Sequence, residues 1–234
     1  MIPISDSVGV RRLFPIVNIL LIVANVLVFL FELSLGDGLD QFMTDYGVVP
    51  AAIAAGHPLS QTAPSPIYLT LITSQFLHGG FLHIAGNMVF LWVFGDNIED
   101  RLGHLPYLAF YLASGVIAGL AQVIVDPSST VPGVGASGAI AGVLAGYLVL
   151  FPTASVRTLL FIGPFITVTR IAAFLLIGFW FVLQLISGVL EIANTAASQN
   201  GGVAFWAHIG GFAFGLVVML LLRASTDVEN PSPA

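Results

Sequence analysis

Apolar stretches of membrane-spanning length recur along this chain, separated by short polar or turn-rich segments. They fall at about 14–35, 81–99, 104–125, 136–152, 168–190 and 204–223, which predicts six transmembrane helices. Gly79-Gly80 precedes the second, and the polar run Asp96–Arg101 ends it. Asp126-Pro127-Ser128-Ser129-Thr130 separates the third from the fourth, which stops at Phe151-Pro152. A soft Ala/Ser/Asn/Gly segment, Glu191 to Gly202, separates the fifth from the sixth. The Glu229–Ala234 tail reads as disordered. The expected organisation is an N-terminal segment 1–13, a six-helix membrane domain 14–223 and a C-terminal tail 224–234.

The arginines orient this arrangement. Arg11, Arg12, Arg101, Arg157, Arg170 and Arg223 are the whole basic set, since the chain has no lysine. With six crossings all of them fall on one side, so both termini are expected in the cytoplasm. The other side receives the first loop, about 36–80, which is longer than a bare connection. Its apolar run Ile67–Ile72 suggests that it lies partly in the membrane interface.

Composition narrows the class. The chain is 57% hydrophobic and 8% charged, where soluble domains carry roughly 25% charged residues. An all-α polytopic membrane protein, with the lipid bilayer as its surroundings, is the expected fold class. A net charge of −6 argues against a nucleic-acid partner. The absence of cysteine removes disulfide and thiolate chemistry. The first apolar run leads into Glu32 and an acidic stretch, with no small-residue cleavage site, and so reads as a retained helix. The lysine-free, alanine-rich, short-tailed chain suggests a bacterial inner membrane.

Four polar residues share one depth in this topology. His83 and Asn87, four apart on one helix face, sit in the first turns of the second span. Ser137 opens the fourth span, and His208 lies in the first turns of the sixth. All three spans run inward from the extracytoplasmic side. Gly138, Gly142 and Gly146 on the fourth span, with Gly211 and Gly215 on the sixth, are small residues that let helix backbones approach closely. Such a contact brings the Ser137 hydroxyl within reach of the His208 ring. A serine hydroxyl needs a base to become a nucleophile. His208 is the candidate base and then the acid for the leaving amine. No Asp or Glu lies in the fourth or sixth span, which predicts a Ser–His dyad. Asn87, His83 and the Ser137 backbone N–H are the candidate oxyanion donors. Only a neutral ring accepts the serine proton, so activity is expected to fall as pH drops.

These residues resemble the rhomboid family of intramembrane serine proteases. The similarity rests on His83-Ile84-Ala85-Gly86-Asn87, Gly135-Ala136-Ser137-Gly138 and Ala207-His208-Ile209-Gly210-Gly211 with Gly215. Leu77-His78, Glu99 and Arg101-Leu102-Gly103 add to it. The resemblance implies a six-helix rhomboid bundle of the simplest bacterial form. It implies cleavage of peptide bonds in or beside the transmembrane helices of substrate proteins, with no cofactor and no metal. It further implies a first loop embedded in the membrane, a cap formed by about 191–203, and lateral substrate entry beside the fifth helix. Gln122 is the position where relatives hold the hydrolytic water; an interhelical hydrogen bond is the other reading of that residue. Two departures stand out. The first loop reads Ile67-Tyr68-Leu69-Thr70 where many members carry Trp-Arg, and Ala141 stands where several bacterial members pack an aromatic ring on the catalytic histidine.

Other classes fit less well. A metalloprotease needs H-E-x-x-H, which is absent, and His78 and His83 are five apart. Gly95-Asp96 lacks the context of an aspartyl intramembrane protease. A transporter would show internal repeats and midplane polar sites. A silent rhomboid-like binder of transmembrane clients would usually have lost the serine or the histidine, and both are present.

Overall fold

In the computed structural model, which describes residues 1–9, 12–163, 165–193 and 204–229, the first helix is α1 (Ile16–Ser34). It is apolar around most of its surface. Asn18, Asn25 and Glu32 recur every seventh residue, so they share one face, and that face is buried. Polar groups at bilayer depth turn to the bundle interior in this way.

Three short helices follow: α2 (Leu39–Tyr46), α3 (Pro50–Ala55) and α4 (Thr70–Thr73). The long helices α5 (Phe81–Leu102), α6 (His104–Val125), α7 (Ser137–Leu150), α8 (Ala173–Ala193) and α9 (Phe205–Glu229) complete the bundle. Among the described residues, five helices are long and apolar enough to cross a membrane, namely α1, α5, α6, α8 and α9. The 14-residue α7 is shorter and almost wholly buried. It stands between α6 and α9 at the centre of the core, with Ala139, Ala141, Val143, Ala145 and Tyr147 fully enclosed. The chain is thus mostly helical, as expected.

The structure adds what an all-α reading lacked. Strands β1 (Ile2–Ser5), β2 (Ser155–Ile162) and β3 (Phe165–Ala172) form an antiparallel sheet in the order β1-β2-β3. The fifth apolar window, expected from 168, is therefore strand up to Ala172 and helix only from Ala173. The N-terminal segment is not a loose lead-in, since β1 pairs with β2 through Ile2↔Leu159 and Pro3↔Thr158.

The first loop is a packed element. Val48, Val49, Ala52, Ile53, Ile67 and Leu71 form an apolar cluster with Val123 of α6. Gly115 and Gly119 make room on α6 for the Gln75 and Leu71 side chains, which would lie 2.2 and 2.9 Å from an added Cβ. Of Ile67–Thr70, Ile67 and Thr70 turn inward and are buried, while Tyr68 and Leu69 are exposed.

Buried carboxylates fix the opposite end. Glu99 accepts hydrogen bonds from the backbone N–H groups of Val17 (2.9 Å) and Asn18 (2.7 Å) at the start of α1, and from His104 Nδ1. His104 is thus a structural partner and not an idle surface residue. Glu99→Ala would leave the Val17 and Asn18 N–H groups unmet beneath the bundle surface and is expected to destabilise the fold by about 3 kcal/mol. Thermal unfolding in detergent reads this; an unchanged midpoint would refute the capping role.

Candidate active site

Ser137 is the first residue of α7, so its backbone N–H lies at a helix N-terminus, where such groups lack intrahelical partners. The loop before it is held by the first loop. Val48 and Gly133 form an isolated antiparallel bridge, and Gly135 N–H donates to Ser74 O at 2.9 Å. Gly135 has φ +128°, and a Cβ there would meet the His83 ring at 2.8 Å. Glycine is required at this position on both counts.

His208 is the fourth residue of α9 and is buried. Its Nε2 is 2.7 Å from Ser137 Oγ. The closeness follows from the glycines. A Cβ on Gly211 would lie 2.1 Å from Gly138 O, and one on Gly215 would lie 2.4 Å from Gly142 O. Gly138 and Gly142 in turn admit Ala118 and Ser114 of α6, and Gly146 admits Met219 of α9. The backbones of α7 and α9 touch because neither carries side chains at these points.

The other ring nitrogen has a partner that sequence reasoning missed. His208 Nδ1 is 2.7 Å from Gln184 Oε1, on α8. If Nε2 accepts from the serine hydroxyl, Nδ1 carries the proton and donates it to Gln184. Trp180, one turn earlier on α8, lies beside the same ring at 5.8 Å between centroids. The aromatic contact that Ala141 does not make is therefore supplied from α8.

His83 and Asn87 line the same cavity, of about 570 Å³, as Ser137, His208 and Trp180. The Asn87 amide donates to His78 Nε2 at 2.9 Å, and His78 N–H donates to Glu32 of α1 at 3.1 Å. Burial first, and His83 second, hold the His78 pKa down to about 4, so the ring is neutral and can accept. This chain of contacts fixes the Asn87 amide plane.

Gln122 lines a smaller cavity, of about 100 Å³, which also reaches Ser137 and Gln75. Both glutamines have a buried amide oxygen without a protein hydrogen-bond partner among the described residues. Buried groups of this kind are usually met by ordered water. Gln122 Oε1 takes part in no interhelical hydrogen bond among the described residues. Among the described residues no cluster of three metal-ligating side chains occurs. The cap expected over 191–203 falls, from 194 onward, outside the described residues, as do Arg11 and the tail 230–234.

The sequence is similar to known proteins over the region that builds this site. Residues 66–225 match the family described as the Rhomboid domain. RHOMBOID-like protein 5 of Arabidopsis thaliana is 31% identical over 163 residues, covering 69% of this chain and 47% of that protein. The human mitochondrial presenilin-associated rhomboid-like protein is 32% identical over 165 residues, covering 68% of this chain and 38% of its own length. Rhomboid protein 1, mitochondrial, of Saccharomyces cerevisiae is 29% identical over 153 residues, or 64% and 40%. The chain spans less than half the length of these curated relatives.

Proposed function

This chain belongs to the rhomboid family of integral membrane proteins, and from that premise we propose that it is an intramembrane serine endopeptidase. Its substrates are transmembrane proteins, cut in or next to a transmembrane helix. The observation that carries this reading is the 2.7 Å contact between Ser137 Oγ and His208 Nε2. A silent client-binder has no need of a base on that hydroxyl.

In the proposed reaction Ser137 Oγ attacks the scissile carbonyl and passes its proton to His208 Nε2. The oxyanion forms beside the Ser137 N–H, the Asn87 amide and His83, donors set in place before the charge develops. His208 then protonates the leaving amine, leaving an acyl group on Ser137. Water from the cavity lined by Gln122 and Gln75 attacks the ester as His208 takes its proton; His208 then returns that proton to Ser137 Oγ as the acyl–oxygen bond breaks, releasing the carboxyl product. The sequence needs no metal or cofactor. The test is cleavage of a reconstituted transmembrane reporter in proteoliposomes. Cleavage within or next to its apolar segment supports the proposal, and an intact reporter with folded protein sinks it.

Gln184 belongs to this machinery as a positioning residue. Its oxygen holds the tautomer that leaves the Nε2 lone pair facing Ser137. Gln184→Leu is expected to lower kcat about tenfold to a hundredfold with KM little changed. Gln184→Glu places a negative charge on Nδ1–H, which favours the protonated ring. Since only the neutral ring accepts the serine proton, the acid limb of the rate profile should then move up by about one pH unit. An unshifted profile would show that Gln184 does not touch the base.

The topology is part of the proposal. Strand β1 pairs with β2, so the chain must cross the bilayer an even number of times between them. Helices α1, α5, α6 and α7 supply four crossings if α7 is counted as one. With α8 and α9 this makes six, with the membrane domain at 14–223. The arginines then lie at the cytoplasmic end and the site opens to the extracytoplasmic side. We place the protein in a bacterial inner membrane, whereas several relatives carry mitochondrial or chloroplastic names.

A further inference from the structure

The sheet β1-β2-β3 has no part in the proposed chemistry, and its place on the bundle is unusual. Ile2, Pro3 and Ile4 line a groove with Ile22 of α1 and Met88 and Trp92 of α5. Ile22 is about 9 Å along α1 from its start, and Trp92 is about 15 Å along α5 from Leu102, at 1.5 Å per residue. Trp92 is only about 6 Å from Asp96, where the polar run of α5 begins, so the sheet meets the bundle where the hydrocarbon layer borders the headgroups. Near the root of the hairpin its inner side is closed against the bundle, where Val156, Thr158 and Pro3 are buried; toward the tip that side is open as well, with Phe165 73% exposed.

The outer side follows from the register. Arg157 faces Arg170, Leu159 faces Val168, and Phe161 faces Ile166, with Ile2 beside Leu159. Alternation puts all of these on one face. That face is open, with Ile2 41%, Phe161 54%, Ile166 65% and Val168 48% exposed. It continues the open apolar surface of α1 and α5, where Leu20, Val23, Leu27 and Trp92 are exposed. Toward the root of the hairpin it ends in two exposed guanidinium groups. They stand directly opposite each other, with no hydrogen bond or ion pair among the described residues. Like charges so opposed repel. Ser5, paired with Arg157, precedes Asp6, which meets Asn97 near the end of α5, so the pair lies close to the Asp100–Arg101 end of the bundle.

We propose that this face is a lipid-binding surface. Ile2, Phe161, Ile166 and Val168 lie among acyl chains, and Arg157 with Arg170 binds the phosphate of an anionic phospholipid headgroup. An anion between the two guanidinium groups turns their repulsion into shared attraction, since each presents several donors to phosphate oxygens. A soluble partner would not account for an apolar surface continuous with the membrane-crossing helices. Eight-residue strands extend about 26 Å, enough to carry the apolar tip into the hydrocarbon while the arginines stay at headgroup level. The surface stands whether or not Ser137 is catalytic.

The cysteine-free sequence makes the test direct. Phe161→Cys and Ile166→Cys, each spin-labelled in the full chain in phosphatidylcholine–phosphatidylglycerol nanodiscs, should be reached by oxygen and shielded from a water-soluble nickel chelate. Ready access by the chelate would place the face in water and overturn the proposal. Shielding from both, with dipolar broadening between labels, would mean a second copy covers the face, which also overturns it. For the headgroup, the wild type should retain phosphatidylglycerol over phosphatidylcholine on extraction from mixed nanodiscs. The Arg157→Gln/Arg170→Gln variant should lose at least about two-thirds of that enrichment. Equal retention by the variant, or displacement of the lipid by inorganic phosphate, would refute the site.

Discussion

Alanine at Ser137 or at His208 is expected to remove peptide cleavage, with a fall of at least about 10⁴-fold for either change. The two losses should be similar, and the double variant should be no worse than either single one. Ser137 Oγ and His208 Nε2 act on the same proton, so removing one partner leaves the other without a task. Fold loss would not explain the result at Ser137, whose side chain is no part of the apolar core. Ser137 occupies a helix start whose backbone is held by Gly135, Ser74 and Val48. Initial rates on a reconstituted transmembrane reporter, with thermal unfolding beside them, would check this. Comparable unfolding midpoints with lost cleavage are expected; cleavage that survives in either variant would remove that residue from the mechanism.

The second large effect comes from a residue with no chemistry. Gly211→Ala would place a methyl group 2.1 Å from the carbonyl oxygen of Gly138. Carbon and oxygen need more than 3 Å, and a backbone carbonyl cannot swing aside, so α9 must move from α7 by about an ångström. Overpacking of this kind costs about 1–3 kcal/mol. Misplacing reacting groups by about 1 Å can cost roughly 100-fold in rate. Gly211→Ala should therefore lower cleavage by about 100-fold and the unfolding midpoint by several degrees. Gly178→Ala on α8 is the control, since nothing lies within 4 Å of an added Cβ there. Alanine is the better helix former, so that variant should be neutral or slightly more stable. Equal behaviour of the two variants would show that the glycine contact does not set the site.

Much of this architecture is written in the sequence at the level of period and spacing. The long helices follow the apolar windows within a few residues, and Ser137, His208, His83 and Asn87 fall on one cavity. The sheet was not legible from mean hydropathy, because Val156–Ile162 and Phe165–Ala172 are as apolar as a helix. The signal lies instead in β-branched residues (Val156, Thr158, Ile166, Val168, Thr169 and Ile171) around Gly163-Pro164. The partners of His208 were hidden for a different reason. Gln184 and Trp180 meet the ring only through the packing of α8 on α9, which no spacing encodes. Gln184 did leave a trace, as the one amide side chain in a mostly apolar span. The contact from Glu32 to His78 joins residues 46 apart, across α1 and the first loop. It is a product of tertiary packing alone.

The most direct test of the central claim is fluorophosphonate labelling of the intact protein in detergent, with the adduct mapped by peptide mass spectrometry. An activated serine attacks the probe without needing a recognised substrate, so the reading does not depend on knowing the native client. The account predicts one adduct, on Ser137, lost in His208→Ala and slowed in Gln184→Leu. An adduct on another serine, or labelling of Ser137 that proceeds as fast without His208, would contradict a Ser137–His208 dyad.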